Sequence, residues 1–210
     1  MKKLTQHELD EMIILHEKWS NDDADGIQAD FSNMDLSGLN FTAKFLRHID
    51  FHGANLTSAN FNHVDLGWAY LINANLTDAN LSWADLVNVD LSGANLTNAF
   101  CNNSAFILAE LVGCDLTSAN FTEAYIYSVD FTDAIFKDTD FTHANIRDSM
   151  FPEKVAAEME NVIIYTDSEW KQIQKCLENK AIFRNAWKAP KYPEVGKHIN
   201  IPKINMEDLI

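Results

Sequence analysis

Between Phe31 and Phe151 the large apolar residues recur at every fifth position, without an insertion. An amphipathic helix calls for a spacing near 3.6 and a half-buried strand for 2, so neither explains the pattern. All 25 of these central positions are Leu, Ile or Phe except Cys101. Two residues before each stands a small one, usually Ala, as at Ala54, Ala59, Ala69, Ala74 and Ala79, with Val64, Val89, Ser104 or Cys114 elsewhere. In an extended segment these two positions share parity and face one way, while the residues flanking the central one face the other. The fifth residue remains to turn a corner. Each pentapeptide therefore predicts one side of a coil, with a small and a large residue pointing into a closed interior.

A second period fixes the number of sides. The segments ANLTS, ANLTD, ANLTN and CDLTS begin at Ala54, Ala74, Ala94 and Cys114, twenty residues apart. Phe31, Phe41, Phe51, Phe61, Phe121, Phe131, Phe141 and Phe151 alternate with Leu in multiples of ten. Both patterns predict four sides per coil, with Phe stacked on two opposite sides. Self-similarity of this kind is the mark of a solenoid. About six coils stacked at the roughly 4.8 Å spacing of neighbouring strands predict a rod on the order of 30 Å long.

The A(D/N)LXX pattern over residues 29–151 resembles that of the pentapeptide-repeat family. The resemblance implies an all-β solenoid, a right-handed quadrilateral β-helix. Met34, Leu39, Lys44 and Phe45 depart from the small-then-polar rule, as at a frayed or capped end.

Residues 1–28 precede the repeats, and "LTQHELDEMIILHEKW" predicts an amphipathic helix over 4–19. Thr5 and Glu8 have the spacing of a capping box, and Leu9, Met12, Ile13, His16 and Trp19 share a face. A solenoid end exposes apolar surface and unpaired backbone groups, so this helix is expected to cap the first coil. After the repeats, 152–210 reads as a helical segment with Trp170, Ile173 and Leu177 on one face, then an extended tail punctuated by Pro190, Pro193 and Pro202. In the fluoroquinolone-resistance members of the family a C-terminal helix closes the solenoid and makes a homodimer. The resemblance implies a similar role for 153–180.

Charge changes the functional picture. The chain carries a formal net charge of −15, which opposes binding to nucleic acid or anionic membranes and favours a basic protein partner. Residues 48–136 contain ten acids and no Lys or Arg, whereas 171–203 hold eight Lys or Arg against Glu178 and Glu194. The start has no signal-peptide pattern and no segment is apolar enough to span a bilayer. The three cysteines, Cys101, Cys114 and Cys176, make neither a metal spacing nor a disulfide framework. A cytoplasmic protein is expected.

No catalytic constellation, metal site or cofactor motif is expected. His63 and His143 fall on one corner column but four coils, about 19 Å, apart. A filled solenoid also leaves no interior cleft. Two outward surfaces are the candidates. The side carrying Phe51, Leu71, Leu91, Leu111 and Phe131 presents Asp50, Tyr70, Asp90, Glu110 and Asp130, an acidic ladder broken by Tyr70. The adjoining side presents Phe45, Trp68, Val87, Ile107, Leu108, Tyr125 and Tyr127 where regular repeats place Ser, Thr, Asn or Gly. An exposed apolar strip of that length is expected to be covered, by the chain's own tail or a dimer mate. The function expected is a non-enzymatic module binding a protein through its surface. As the alternative, the resemblance to the resistance members implies a DNA mimic that occupies the basic groove of a type II topoisomerase, DNA gyrase.

Overall fold

The computed structural model describes residues 1–147 and 149–152 of the chain. The helix and tail expected in the C-terminal part lie outside these residues. The expected coil geometry is present throughout the repeats. Parallel bridges join residues twenty apart, as in the column Asp30, Asp50, Tyr70, Asp90, Glu110, Asp130, Met150. Three further columns start at Asp35, Asn40 and Phe45, so the chain returns to the same side after four pentapeptides. We number these sides face 1 (the Asp30 column) to face 4 (the Phe45 column).

The pentapeptide builds this shape through a single local device. The residue two beyond each central position has positive φ, from Asn33 at 56° to His143 at 58°. On most sides the amide three beyond the central residue donates to the central carbonyl, as Ala54 does to Phe51 at 2.9 Å. This is the four-residue turn with its third residue left-handed that Gly and Asn prefer. The side chain before the central residue closes the next gap: Asn75 Oδ1 accepts from the Thr77 amide at 3.1 Å, and Asp90 Oδ1 from the Ser92 amide at 2.9 Å. Such bonds between a side chain and the backbone two residues on are why Asx residues stand there.

Face 4 keeps this turn at Leu46, Leu66 and Leu86 but departs from it in its last three coils. There the chain forms three short parallel strands, β1 (Ala105–Ile107), β2 (Tyr125–Tyr127) and β3 (Asn145–Arg147), in the register Phe106, Ile126, Ile146.

The interior is closed. The central Leu and Phe side chains from Phe31 to Phe141 are fully buried. Phe stacks on opposite faces as the alternation implies, with Phe31 on Phe51 at 5.5 Å on face 1 and Phe41 on Phe61 at 4.4 Å on face 3. Across the core the Phe51 and Phe61 rings meet edge to face at 5.8 Å, a favoured aromatic geometry. The small residues two before each centre leave room for these rings.

Helix α1 (Gln6–Ser20) has the capping box read from Thr5 and Glu8. It lies on the first coil and buries Leu9, Ile13 and His16. Its neighbours supply hydrogen bonds that another coil would otherwise make. Leu4 donates to the Asp35 carbonyl at 3.2 Å, and the Asp35 amide donates to Lys2 at 2.7 Å. The Gln6 side chain imitates a peptide group on face 3: Nε2 donates to the Asn40 carbonyl at 2.9 Å, and Oε1 accepts from the Asn40 amide at 2.8 Å. On face 4, His16 Nε2 donates to the Arg47 carbonyl at 2.9 Å, and its Nδ1 accepts from the Ala29 amide at 3.2 Å. Met34 and Leu39, irregular in the repeat, pack on the core beside this helix, and Lys44 pairs with Asp10 at 3.6 Å.

Gly26 allows the chain to pass from helix to coil. A Cβ there would lie 2.1 Å from the Trp19 nitrogen and 2.3 Å from its Cα. Only glycine fits so close a backbone approach.

Candidate interaction surface

The acidic ladder occupies face 1 as its residue spacing implies. Asp50, Tyr70, Asp90, Glu110 and Asp130 are bridged in order along one column. Asp50, Asp90 and Asp130 are half-buried, whereas Tyr70 and Glu110 are exposed. The sequence reading missed Asp30, which bridges Asp50 and extends the ladder by a coil. The signal was present five residues before Asp35, in the first and least regular coil. Hydrogen bonds from Ser32 hold the Asp30 carboxyl below the ordinary carboxylate range.

What the ladder's charge contributes can be separated from what its shape contributes. Asp30, Asp50, Asp90 and Asp130 each accept, at 2.8–2.9 Å, from the amide two residues on. On face 2 the same bond is made by Asn55, Asn75 and Asn95. On face 3 it is made by Asn40, Asn60, Asn80 and Asn120. The turn is therefore served by a neutral amide as well as by a carboxylate. Face 1 carries negative charge that the local geometry does not require.

Face 4 is the second candidate, and here exposure differs from the expectation. Phe45, Trp68 and Leu108 are exposed at 60%, 39% and 38%. Val87, Ile107 and Tyr127 point outward by parity, yet they are only 5–7% exposed and form a cluster with the half-buried Tyr125. The strip is thus a small second core with an open rim, not an open apolar surface along its length. Polar chemistry that the sequence reading also missed adjoins it. Arg47 Nε meets Asp65 Oδ2 at 2.6 Å and its Nη2 lies 3.8 Å from Asp85 Oδ2. Its guanidinium sits 5.2 Å over the Trp68 ring, which stacks on His48 at 5.6 Å. Asp85 is 3% exposed. Burial first, and then the neighbouring Asp65, push its carboxyl up to about 6.

Three other reactive side chains among the described residues have structural surroundings. His63 stacks on Trp83 at 5.8 Å. Cys101 and Cys114 are buried free thiols, and burial pushes both well above the ordinary thiol value. Among the described residues no cluster of His, Cys, Asp and Glu has the geometry to hold a metal ion. No described helix is long and apolar enough to cross a membrane.

Comparison with known proteins follows the repeats. A family profile described as pentapeptide repeats matches in 8 copies, over 29–71, 49–87, 74–111, 84–122 and 109–148. No curated protein matches the sequence. Among solved structures, the chain is 21% identical to HetL, a pentapeptide-repeat protein involved in heterocyst differentiation regulation from the cyanobacterium Nostoc sp. strain PCC 7120. The match covers 65% of this chain and 62% of HetL, with a TM-score of 0.39. A pentapeptide-repeat protein from the Arabidopsis thaliana thylakoid lumen matches at 26% identity over 70% of this chain and 90% of its own, with a TM-score of 0.39. A trypsin-treated form of QnrB1, a plasmid-mediated fluoroquinolone resistance protein, matches at 18% identity over 73% and 85%, with a TM-score of 0.42.

Proposed function

The chain belongs to the pentapeptide-repeat family, and from that premise we propose that it is a non-enzymatic binding module whose acidic face 1 engages a protein with a basic groove. The fold is the right-handed quadrilateral β-helix of that family. In this reading it forms a rod of about six coils, closed at its start by α1. One observation carries the proposal: every side chain making this turn bond on face 1 is Asp, whereas faces 2 and 3 make it with Asn at seven positions and with Asp at three, Asp35, Asp115 and Asp140. Like charges stacked one coil apart oppose folding, so a row of them that the turns do not need points to a role outside the fold. The β-helix holds the row at fixed spacing, and a partner's cations meet it without first ordering a flexible chain.

The test replaces Asp50, Asp90 and Asp130 with Asn and Glu110 with Gln. The variant is expected to fold and melt at or above the parent's temperature, while binding to basic partners falls and loses its salt dependence. Unchanged binding by the folded variant would refute the role of face 1.

A narrower reading makes the partner a type II topoisomerase, DNA gyrase, with the rod in the place of DNA. The row of acids on a stiff rod favours it. Charge density limits it: duplex DNA presents one charge per about 1.7 Å of axis, whereas this column offers at most one per coil, roughly 4.8 Å. A gyrase supercoiling titration decides the matter. Inhibition by the parent that is lost in the face 1 variant supports the narrower reading, and no effect of the parent removes it.

A further inference from the structure

The burial on face 4 is not explained by the coil beneath it. Val87 and Ile107 occupy the position just after the central residue, as do Val112 and Ile72 on face 1. The face 1 pair is half-buried, whereas Val87 and Ile107 are 5% and 6% exposed. Gly67 and Tyr127, in the same column as Val87 and Ile107, are buried as well. Val87, in the same turn setting as Ile72 and Val112, is thus far less exposed than they are, and Ile107 of β1 and Tyr127 of β2 are buried beside it, as a second layer over this face would produce. Among the described residues no helix or strand supplies one: α1 lies on the first coil, and β1 to β3 are the face itself.

The rim of this face shows a second peculiarity. Trp68, Trp83 and Leu108 take positive φ of 57°, 62° and 55°. That conformation costs an ordinary L-residue roughly 1 kcal/mol, and the corners elsewhere hold mostly Gly, Asn, Ser or Asp. All three bulky exceptions border face 4, at its two corners.

We infer that the segment 153–210 of the same chain docks along face 4 as its outer layer. The chain leaves the described residues at Pro152, at the end of the rod where β3 closes face 4. The 58 residues that follow far exceed the few coils to be crossed, since Val87 lies three coils back, on the order of 15 Å. The segment has the chemistry the face calls for. Trp170, Ile173 and Leu177 recur at helical spacing, and Phe183 and Trp187 follow. Its eight Lys or Arg over 171–203 complement Asp65 and Asp85. The inference is independent of the role of face 1, and leaves that face open to a partner.

Photocrosslinking in the full chain tests it. Benzophenone-alanine replaces Leu108, a rim residue with 38% exposure, and the products are mapped by mass spectrometry. The expected product has monomer mass and joins position 108 to a peptide from 153–210. A product found only at dimer mass would assign the layer to a second copy and overturn the inference, as would adducts confined to 1–152 or none at all. Limited proteolysis of full-length Ile107→Arg provides a second readout, with Thr97→Arg on face 2 as the control. Cleavage within 153–210 is expected to rise by roughly tenfold or more in Ile107→Arg alone, because proteolysis follows the open population. Equal cleavage in the two folded variants would overturn the docking.

Discussion

Replacing Asp85 with Asn should stabilise the protein at neutral pH, and the gain should vanish in acid. Asp85 does two separable things. Its Oδ1 accepts from the Val87 amide at 3.1 Å, a bond that Asn makes at the same position on faces 2 and 3. Its ionisation, however, takes place at a site only 3% exposed and beside Asp65. Burial and that neighbour raise its pKa from 3.8 to about 6. A raised carboxyl favours the fold fully below the unfolded value and loses that contribution as pH rises through about 6. Two pK units correspond to about 3 kcal/mol, an upper figure for what the neutral amide recovers at pH 7.5. Arg47 keeps its shorter contact with Asp65 at 2.6 Å, so the substitution leaves the guanidinium paired. The assay is urea unfolding of parent and Asp85→Asn in parallel between pH 4 and 7.5, where titrations common to both cancel. The expected difference is about 1–3 kcal/mol in favour of Asn at pH 7.5, closing toward pH 4. A variant less stable than the parent at pH 7.5, or a difference constant with pH, would refute the reasoning.

Other expectations test the remaining parts of the structure. His16→Ala strands the Ala29 amide and the Arg47 carbonyl and should cost about 2–6 kcal/mol, at about 1–3 kcal/mol per buried group, measured by chemical unfolding at pH 8. Burial lowers the His16 pKa, so its contribution is full above the unfolded value near 6.5 and is lost as pH falls below it. The difference between parent and His16→Ala should therefore narrow in acid, opposite in origin to the Asp85 effect. Gly26→Ala drives a Cβ into the Trp19 backbone and should cost at least about 3 kcal/mol, seen as a lower denaturant midpoint. Leu86→Asp and Phe61→Asp each place a charge in the closed core, where both parent residues are fully buried. Either should abolish the far-UV circular dichroism of the fold, and a parent-like melt would refute the inward assignment.

The coil was legible in the sequence because each pentapeptide carries its own instructions. Parity sets the inward pair, an Asx residue closes the turn, and the corner residue takes the left-handed conformation. The twenty-residue period of ANLT-type segments then set the register that the bridges follow. The acidic column could be read from the same register, apart from Asp30 in the irregular first coil. What escaped depends on contacts that no local pattern records. Gln6 meets the Asn40 backbone across 34 residues, and its amide has no sequence mark that distinguishes it from a surface side chain. Spacing places His16 on the apolar face of α1 but carries no sign of its two hydrogen bonds to separate backbone segments. Parity correctly gave Val87, Ile107 and Tyr127 as outward, but outward position implied an exposure that the structure does not show. The Arg47, Asp65 and Asp85 group escapes local pattern because Asp65 and Asp85 lie 18 and 38 residues beyond Arg47 and become its neighbours only when the coils stack.

A binding role for face 1 depends on where the charge sits, so the charge is moved to another face. In one variant Asp50, Asp90 and Asp130 become Asn, while Asn55, Asn75 and Asn95 on face 2 become Asp. The number of charges and the turn hydrogen bonds are thereby kept. Parent and charge-transferred protein are immobilised side by side, and their retained partners are quantified by mass spectrometry at low and high salt. A binding role for face 1 predicts a salt-sensitive set of basic partners on the parent that the transferred protein loses. Retention of the same partners by both would show that net charge suffices and would contradict a binding role for face 1.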